Sequence, residues 1–274
     1  MLRNQENNRL IKKFQQLSEK NERALICYTI AGYPDIKTTE EIVSTIVSAG
    51  GDIIEMGIPF SDPIADGPII QEASYQTLVK GITPEKCLTI VSNIRRRQPT
   101  LPILAMTYSN ILLRNGFLNF MTMAKEKGID GFILPDMAIE ESGSYVDTAS
   151  KLGLSTIFMV SPNTSSTRIE SIINRSSGFL YLVSVYGITG VRRSVEGYTL
   201  EAIKKVKQIS QAKIPVAVGF GISNPSQAKM MINAGADAII LGTSIINKIK
   251  HSPDKKKMLQ DLHSFIASMK KACK

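Results

Sequence analysis

Short apolar runs alternate with longer segments of helical period along the chain. The strand candidates are Leu25–Ile30, Ile53–Met56, Ile103–Thr107, Gly131–Leu134, Ser155–Val160, Phe179–Ser184, Val216–Val218 and Ala238–Leu241. Their apolar character is nearly continuous, as expected of parallel strands covered on both faces. Helices are predicted over Thr39–Ser48, Pro84–Arg97, Phe117–Lys127, Glu140–Leu152, Thr167–Asn174, Leu200–Ile209, Pro225–Ala234 and about Lys255–Lys271. Eight strands each followed by a helix predict a (β/α)8 TIM barrel. The polar, mixed-charge stretch Met1–Lys20 reads as an extra amphipathic N-terminal helix, so one domain is expected over 1–274, with the barrel over 24–272.

A local repeat supports the count. Ala49-Gly50-Gly51-Asp52, Lys127-Gly128-Ile129-Asp130 and Ala234-Gly235-Ala236-Asp237 share one grammar. A helix ends on a glycine able to take a left-handed cap, and an aspartate then turns the chain into a buried strand. Lys151-Leu152-Gly153-Leu154 is a looser copy. The competing fold, an open doubly wound sheet, usually carries G-x-G-x-x-G after its first strand. Ala31-Gly32-Tyr33-Pro34 stands there instead.

Composition narrows the function classes. A hydrophobic content of 43% is ample for a core, and no run approaches the roughly 18 apolar residues of a membrane span. With no apolar leader pattern in Met1–Lys20, the expected compartment is the cytosol, a plastid stroma staying open. Cys27, Cys87 and Cys273 are too scattered for a disulfide framework, and His251 and His263 join no ligand cluster, so no metal is expected. With so little histidine, proton transfer falls to carboxylates, lysines or tyrosines. The net charge of +9 suggests an anionic partner, but the basic residues are scattered, no aromatics interleave with them and Trp is absent. Nucleic acid is therefore not the expected ligand.

In barrels, chemistry sits at the C-terminal ends of the strands. The second strand ends Glu55-Met56-Gly57 and runs into a loop with three prolines that fixes Asp62 and Asp66. A glutamate ending an apolar strand is either a salt-bridged structural acid or a catalytic one. Paired with a second carboxylate on a stiff loop, it suits acid–base work. Gly187-Ile188-Thr189-Gly190 after the sixth strand suits a lid or anion loop. Gly219-Phe220-Gly221 and Gly242-Thr243-Ser244 occupy the loops after strands 7 and 8, where barrels commonly bind phosphate; two tight turns are the alternative. Met106 and Tyr108, closing the third strand, either line a pocket for a flat apolar group or pack in the core.

These residues resemble one family closely, the tryptophan synthase α subunit, from Leu25 to Leu262. The most specific piece is the string Glu55-Met56-Gly57-Ile58-Pro59-Phe60-Ser61-Asp62-Pro63-Ile64-Ala65-Asp66-Gly67-Pro68. Pro135-Asp136 and the glycine motifs just named resemble its other landmarks in order and spacing. The resemblance implies a lyase that cleaves indole-3-glycerol phosphate to indole and glyceraldehyde 3-phosphate. It gives Glu55 the C3 and hydroxyl protons, Asp66 the indole N–H, and Tyr181 a place beside the reacting centre. Thr189 would bond Asp66 on lid closure. Gly190, Gly219, Phe220, Gly221, Gly242 and Thr243 would cradle the phosphate. Tyr28, Met106, Ile133 and Met159 would wall the indole. It also implies a β-subunit partner in an α2β2 complex, contacted around Asp62. Pyridoxal phosphate would belong to that partner, and none is expected in this chain. A stand-alone lyase releasing free indole is the alternative. Val185-Tyr186 and Thr243 depart from residues frequent in relatives, small ones and serine respectively.

Overall fold

The computed structural model describes residues 8–183, 192–219 and 221–274. Eight parallel strands close a barrel in sequence order: β1 (Ala24–Ile30), β2 (Ile53–Gly57), β3 (Ile103–Met106), β4 (Gly131–Ile133), β5 (Ser155–Val160), β6 (Leu180–Val183), β7 (Val216–Gly219) and β8 (Ala238–Leu241). Closure comes from β8 against β1, with Ala24 opposite Ala238 and Cys27 opposite Leu241. The strands are buried almost throughout, as their unbroken apolar runs require.

The helices are α1 (Arg9–Glu19), α2 (Ile36–Ser48), α3 (Pro68–Val79), α4 (Pro84–Arg97), α5 (Ser109–Asn115), α6 (Phe117–Lys127), α7 (Gly143–Leu152), α8 (Ser166–Arg175), α9 (Arg192–Ser210), α10 (Pro225–Asn233), α11 (Thr243–His251) and α12 (Lys255–Ala272). Besides α11, which begins at the Gly242-Thr243-Ser244 turn after β8, two of them are additions to the expected pattern. In α3 the buried positions Ile70, Ala73, Ser74 and Thr77 are half polar, while Tyr75 and Val79 are exposed, so no apolar stripe marks it. The other, α5, spans only seven residues. The helix expected to begin at Glu140 starts at Gly143, after a 3-10 turn over Ile139–Glu141.

The repeated aspartates are the joints of the bottom face. Each accepts a hydrogen bond from a backbone N–H at the start of a neighbouring strand and meets a cation. Asp52 Oδ2 takes Leu25 N at 2.8 Å and Lys270 Nζ at 2.9 Å. Asp130 Oδ2 takes Ile103 N at 2.9 Å and Arg95 at 2.9 Å, while its Oδ1 takes Arg9 at 2.8 Å. Asp237 Oδ2 takes Val216 N at 2.8 Å and Lys207 Nζ at 2.7 Å. Gly128 has φ +103°, and a Cβ there would lie 2.8 Å from Arg95 Cγ, so only glycine fits that helix end.

The N-terminal helix docks on this face. Asn8 caps it by accepting from Leu10 N, and donates its own amide to the carbonyls of Asp130 (2.8 Å) and Gly153 (3.0 Å). Leu10 is fully buried, and its Cδ2 is so near Gly178 that a Cβ there would come within 2.8 Å. The bottom is therefore tied shut, and the opposite rim carries the site.

Candidate active site

Glu55 sits on β2, opposite Tyr28 of β1 and Leu104 of β3. It is 1% exposed, and its Oε2 has no hydrogen-bond partner among the described residues. Burial, and secondarily the nearby charge of Asp66, push its pKa up to about 8. Such a carboxyl changes protonation near neutral pH, as a group that both gives and takes a proton must. A structural acid of the salt-bridged kind would have a cation beside it, and Glu55 has none among the described ion pairs.

Asp66 is held by the loop that follows. Asp66 N donates to Pro63 O at 3.1 Å, and Gln71 Nε2 donates to Asp66 O at 2.8 Å. Tyr108 is the clamp: its hydroxyl accepts from Ala65 N (3.1 Å) and donates to Asp66 Oδ2 (2.9 Å). Its ring stacks on Phe60 with centroids 5.2 Å apart. Immediately after it, Asp136 accepts from Ser109 N and Ser109 Oγ (2.6 Å), pinning the first turn of α5. Partial burial raises the Asp66 pKa, and the Tyr108 hydrogen bond opposes that rise.

Two further tyrosines, Tyr28 and Tyr181, are buried, and burial followed by the two carboxylates raises their pKa values well above the ordinary phenol. They remain neutral over the working range. Neighbouring glycines make room for them. A Cβ on Gly57 would overlap the Tyr28 hydroxyl, and one on Gly219 would lie 2.7 Å from that of Tyr181.

A cavity of about 160 Å³ is lined by Tyr28, Glu55, Asp66, Met106, Tyr181, Gly221, Gly242 and Thr243, all expected at the site, together with Ile70, Ile222, Ser223 and Ile240. At one end lie the carboxylates. At the other, α11 begins with Gly242 as its N-cap and no side-chain cap, so its first N–H groups are open to an anion. Ser244 Oγ beside them is buried without a hydrogen-bond partner among the described residues.

The matching family model is that of the tryptophan synthase alpha chain, over residues 14–274. This chain belongs to that family. It is 41% identical to the tryptophan synthase alpha chain of Methanosarcina barkeri over 257 residues, 94% of this chain and 95% of the relative. The alpha chain of Methanosarcina acetivorans is 43% identical over 242 residues, covering 88% of this chain and 86% of the other. Among solved structures, tryptophan synthase subunit alpha from Legionella pneumophila superposes with TM-score 0.86 at 33% identity, covering 97% of this chain and 98% of that one. A chain of the tryptophan synthase complex from Pyrococcus furiosus gives 0.82 at 31% identity, covering 90% and 98%.

Not every residue that the tryptophan synthase alpha chain resemblance assigned reaches the cavity wall. Ile133 is fully buried on β4, Met159 is half-buried on β5, and Gly219 is occupied by the Tyr181 ring. Tyr108 acts through Asp66 and Ala65. Thr189, Gly190 and Phe220 lie outside the described residues, as do Val185 and Tyr186. Ile70, Ile222, Ser223 and Ile240 were not expected. Ile222 and Ser223 continue the Gly219-Phe220-Gly221 motif, which is their signal; Ile70 lies in α3, whose weak apolar period hides it. Among the described residues no helix is long and apolar enough to cross a membrane.

Proposed function

We propose that this chain cleaves indole-3-glycerol phosphate to indole and glyceraldehyde 3-phosphate by a retro-aldol reaction, with Glu55 moving the protons. The observation that carries the residue assignment is the buried Glu55 carboxyl, titrating near pH 8, in one cavity with Asp66 and an uncapped helix N-terminus. Protonated Glu55 delivers its proton to indole C3 as the ring nitrogen lone pair becomes an iminium bond. Asp66, held by Tyr108, accepts the N–H hydrogen bond and stabilises that cation. The glycerol hydroxyl on the attached carbon then loses its proton to the Glu55 carboxylate. Its oxygen forms the aldehyde as the C–C bond breaks and the electron pair returns to the ring nitrogen. Glu55 ends protonated, so the cycle closes without another acid. Gly221, Gly242 and Thr243 hold the phosphate through backbone N–H groups, with the dipole of α11 behind them.

The same reading supplies a partner. Asp62 is exposed, and Ile64 beside it is 81% exposed. They adjoin a groove of about 690 Å³ lined by Pro59, Phe60, Leu78, Ile111 and Leu113. An apolar groove rimmed by polar groups next to the Asp66 loop suits a β subunit that receives indole, in an α2β2 assembly whose pyridoxal phosphate sits in the β subunit. The tryptophan synthase of Pyrococcus furiosus, whose structure resembles this chain, is an a2b2 complex. A soluble phosphorylated substrate suits the cytosol or a plastid stroma, and the barrel with α1 acts as one domain.

An assay of indole release from indole-3-glycerol phosphate, with and without a β subunit, tests the proposal. Turnover by the wild type that is lost in Glu55→Gln, with substrate still bound, is expected. No turnover under either condition would reject the substrate. Full turnover without any response to a β subunit would instead favour the stand-alone lyase.

A further inference from the structure

Behind the phosphate end of the cavity lies a second recess, of about 380 Å³, lined by Ser223, Ser244, Asn247, Lys248, His251, Ser252, Asp261 and Phe265. It shares Ser223 with the catalytic cavity, and Ser244 follows Thr243 of that cavity's wall. Positions 244, 247, 248 and 251 fall at the i, i+3, i+4, i+7 spacing of one helical face. The opposite face, Ile245, Ile246 and Ile249, is buried in the barrel layer.

Ser223 Oγ donates to Gln227 Oε1 at 3.3 Å and Ser252 Oγ to the Lys248 carbonyl at 2.6 Å, but the Ser244, Asn247, Lys248 and His251 side chains are uncommitted to hydrogen bonds or ion pairs among the described residues. Lys248 forms no ion pair among the described residues and rests over the Phe265 ring, 4.7 Å from its centroid. Asp261, the acid of the recess, is engaged with Lys257 at 2.8 Å. The next lysine of the helix, Lys250, is bonded to Glu72 at 2.6 Å. Side chains of Asn247 and His251 make no hydrogen bond among the described residues, and the buried Ser244 Oγ has none either. A solvated basic helix end would also place cations in the last turn of α11, where they offset its dipole by under about 1 kcal/mol. That role needs neither a walled recess nor an unpartnered buried hydroxyl.

We propose that this recess is a second anion site, which takes the phosphate group of a small molecule on the outer face of α11. Lys248 is the charged ligand, Asn247 and His251 donate beside it, and the hydroxyls of Ser223 and Ser244 face it. The wall shared through Ser223 links it to the catalytic cavity. Two phosphates on either side of one helical turn repel, so occupancy of the outer site weakens the inner one.

The test is a titration of the full chain with inorganic phosphate at low chloride, followed by backbone amide NMR. Two sets of amides should move: Gly221 and Thr243, and separately Asn247, Lys248 and His251. The second set should saturate at roughly 1–10 mM, as a few charge-assisted bonds allow. In Lys248→Gln it should weaken about tenfold, because one charged ligand is lost. The first set and indole formation at saturating substrate should be unchanged in that variant. No movement of the second set up to about 50 mM, or equal movement in Lys248→Gln, would overturn the site. Indole assays read the catalytic proposal separately, so either can fail alone.

Discussion

The two rims of the barrel treat their carboxylates in opposite ways. On the bottom, Asp52, Asp130 and Asp237 each satisfy an N–H at the start of a strand and a cation. On the top, Glu55 lies on a strand as buried as any, yet Oε2 meets no donor among the described residues, and Asp66 is held by a tyrosine hydroxyl rather than a cation. Lys270 shows the bottom rule from the cation's side: burial works against its charge, but Asp52 and Glu22 outweigh burial and raise its pKa. A carboxylate whose charge is compensated is fixed, and one whose charge is not compensated is available to chemistry.

The sharpest way to break this contrast is Glu55→Gln. It keeps the shape of the side chain and removes the proton exchange. Indole formation should fall by roughly 10³-fold or more, since acid and base roles are lost together. The thermal transition near pH 4, where Glu55 is protonated in both the folded and unfolded chain, should be little changed. Activity within tenfold of wild type would return Glu55 to a structural role like that of its bottom-face counterparts.

The bottom-face counterpart is Asp130→Ala. It strands Arg95 and the Ile103 N–H in a buried place and frees Arg9. Losing one partner of a buried pair costs about 3–5 kcal/mol. Chemical denaturation should show that loss, while the protein that stays folded keeps its turnover per molecule. Asp237→Ala should cost about 1 kcal/mol, because its side chain is 28% exposed and solvent screens the pair. Equal costs at the two joints would show that burial does not set the difference.

These contrasts bear on how much of the molecule its residues announce. The strands are legible because a parallel barrel needs continuous apolar runs, and such runs have few other uses. The Gly-Asp joints are legible as turns, but their cations are not: Arg95, Lys207 and Lys270 lie 35, 30 and 218 residues from their aspartates. Glu55 was readable because a charge in an apolar strand is costly. Tyr108 was legible only as an aromatic at a strand end; its grip on Asp66 spans 42 residues. Ile70 and α3 escaped because amphipathic period is the signal for a helix, and this one buries a stripe that is half polar.

Stability against pH sharpens the contrast further. Glu55 has an ordinary value near 4.5 when unfolded and about 8 when folded. Between those pH values the folded state binds the extra proton, so stability falls as pH rises, by roughly 1.4 kcal/mol per unit at most. Glu55→Gln lacks that loss. Denaturant midpoints of the two proteins should agree near pH 4 and diverge towards pH 8, with the variant the more stable. Parallel curves across that range would place the Glu55 pKa near its ordinary value.

The smallest effect separates a charge from its holder. Tyr108→Phe keeps the ring on Phe60 but removes the acceptor of Ala65 N–H and the donor to Asp66 Oδ2. One charge-assisted hydrogen bond is worth about 1.5 kcal/mol, so turnover should drop about tenfold. That bond also lowers the Asp66 pKa against the pull of burial. Without it Asp66 protonates at higher pH, and the acid limb of the activity profile should move upward. A tenfold loss with an unmoved acid limb would mean that Tyr108 only shapes the loop. A moved limb would show that this tyrosine does on the top rim, with a neutral hydroxyl, what arginine and lysine do on the bottom.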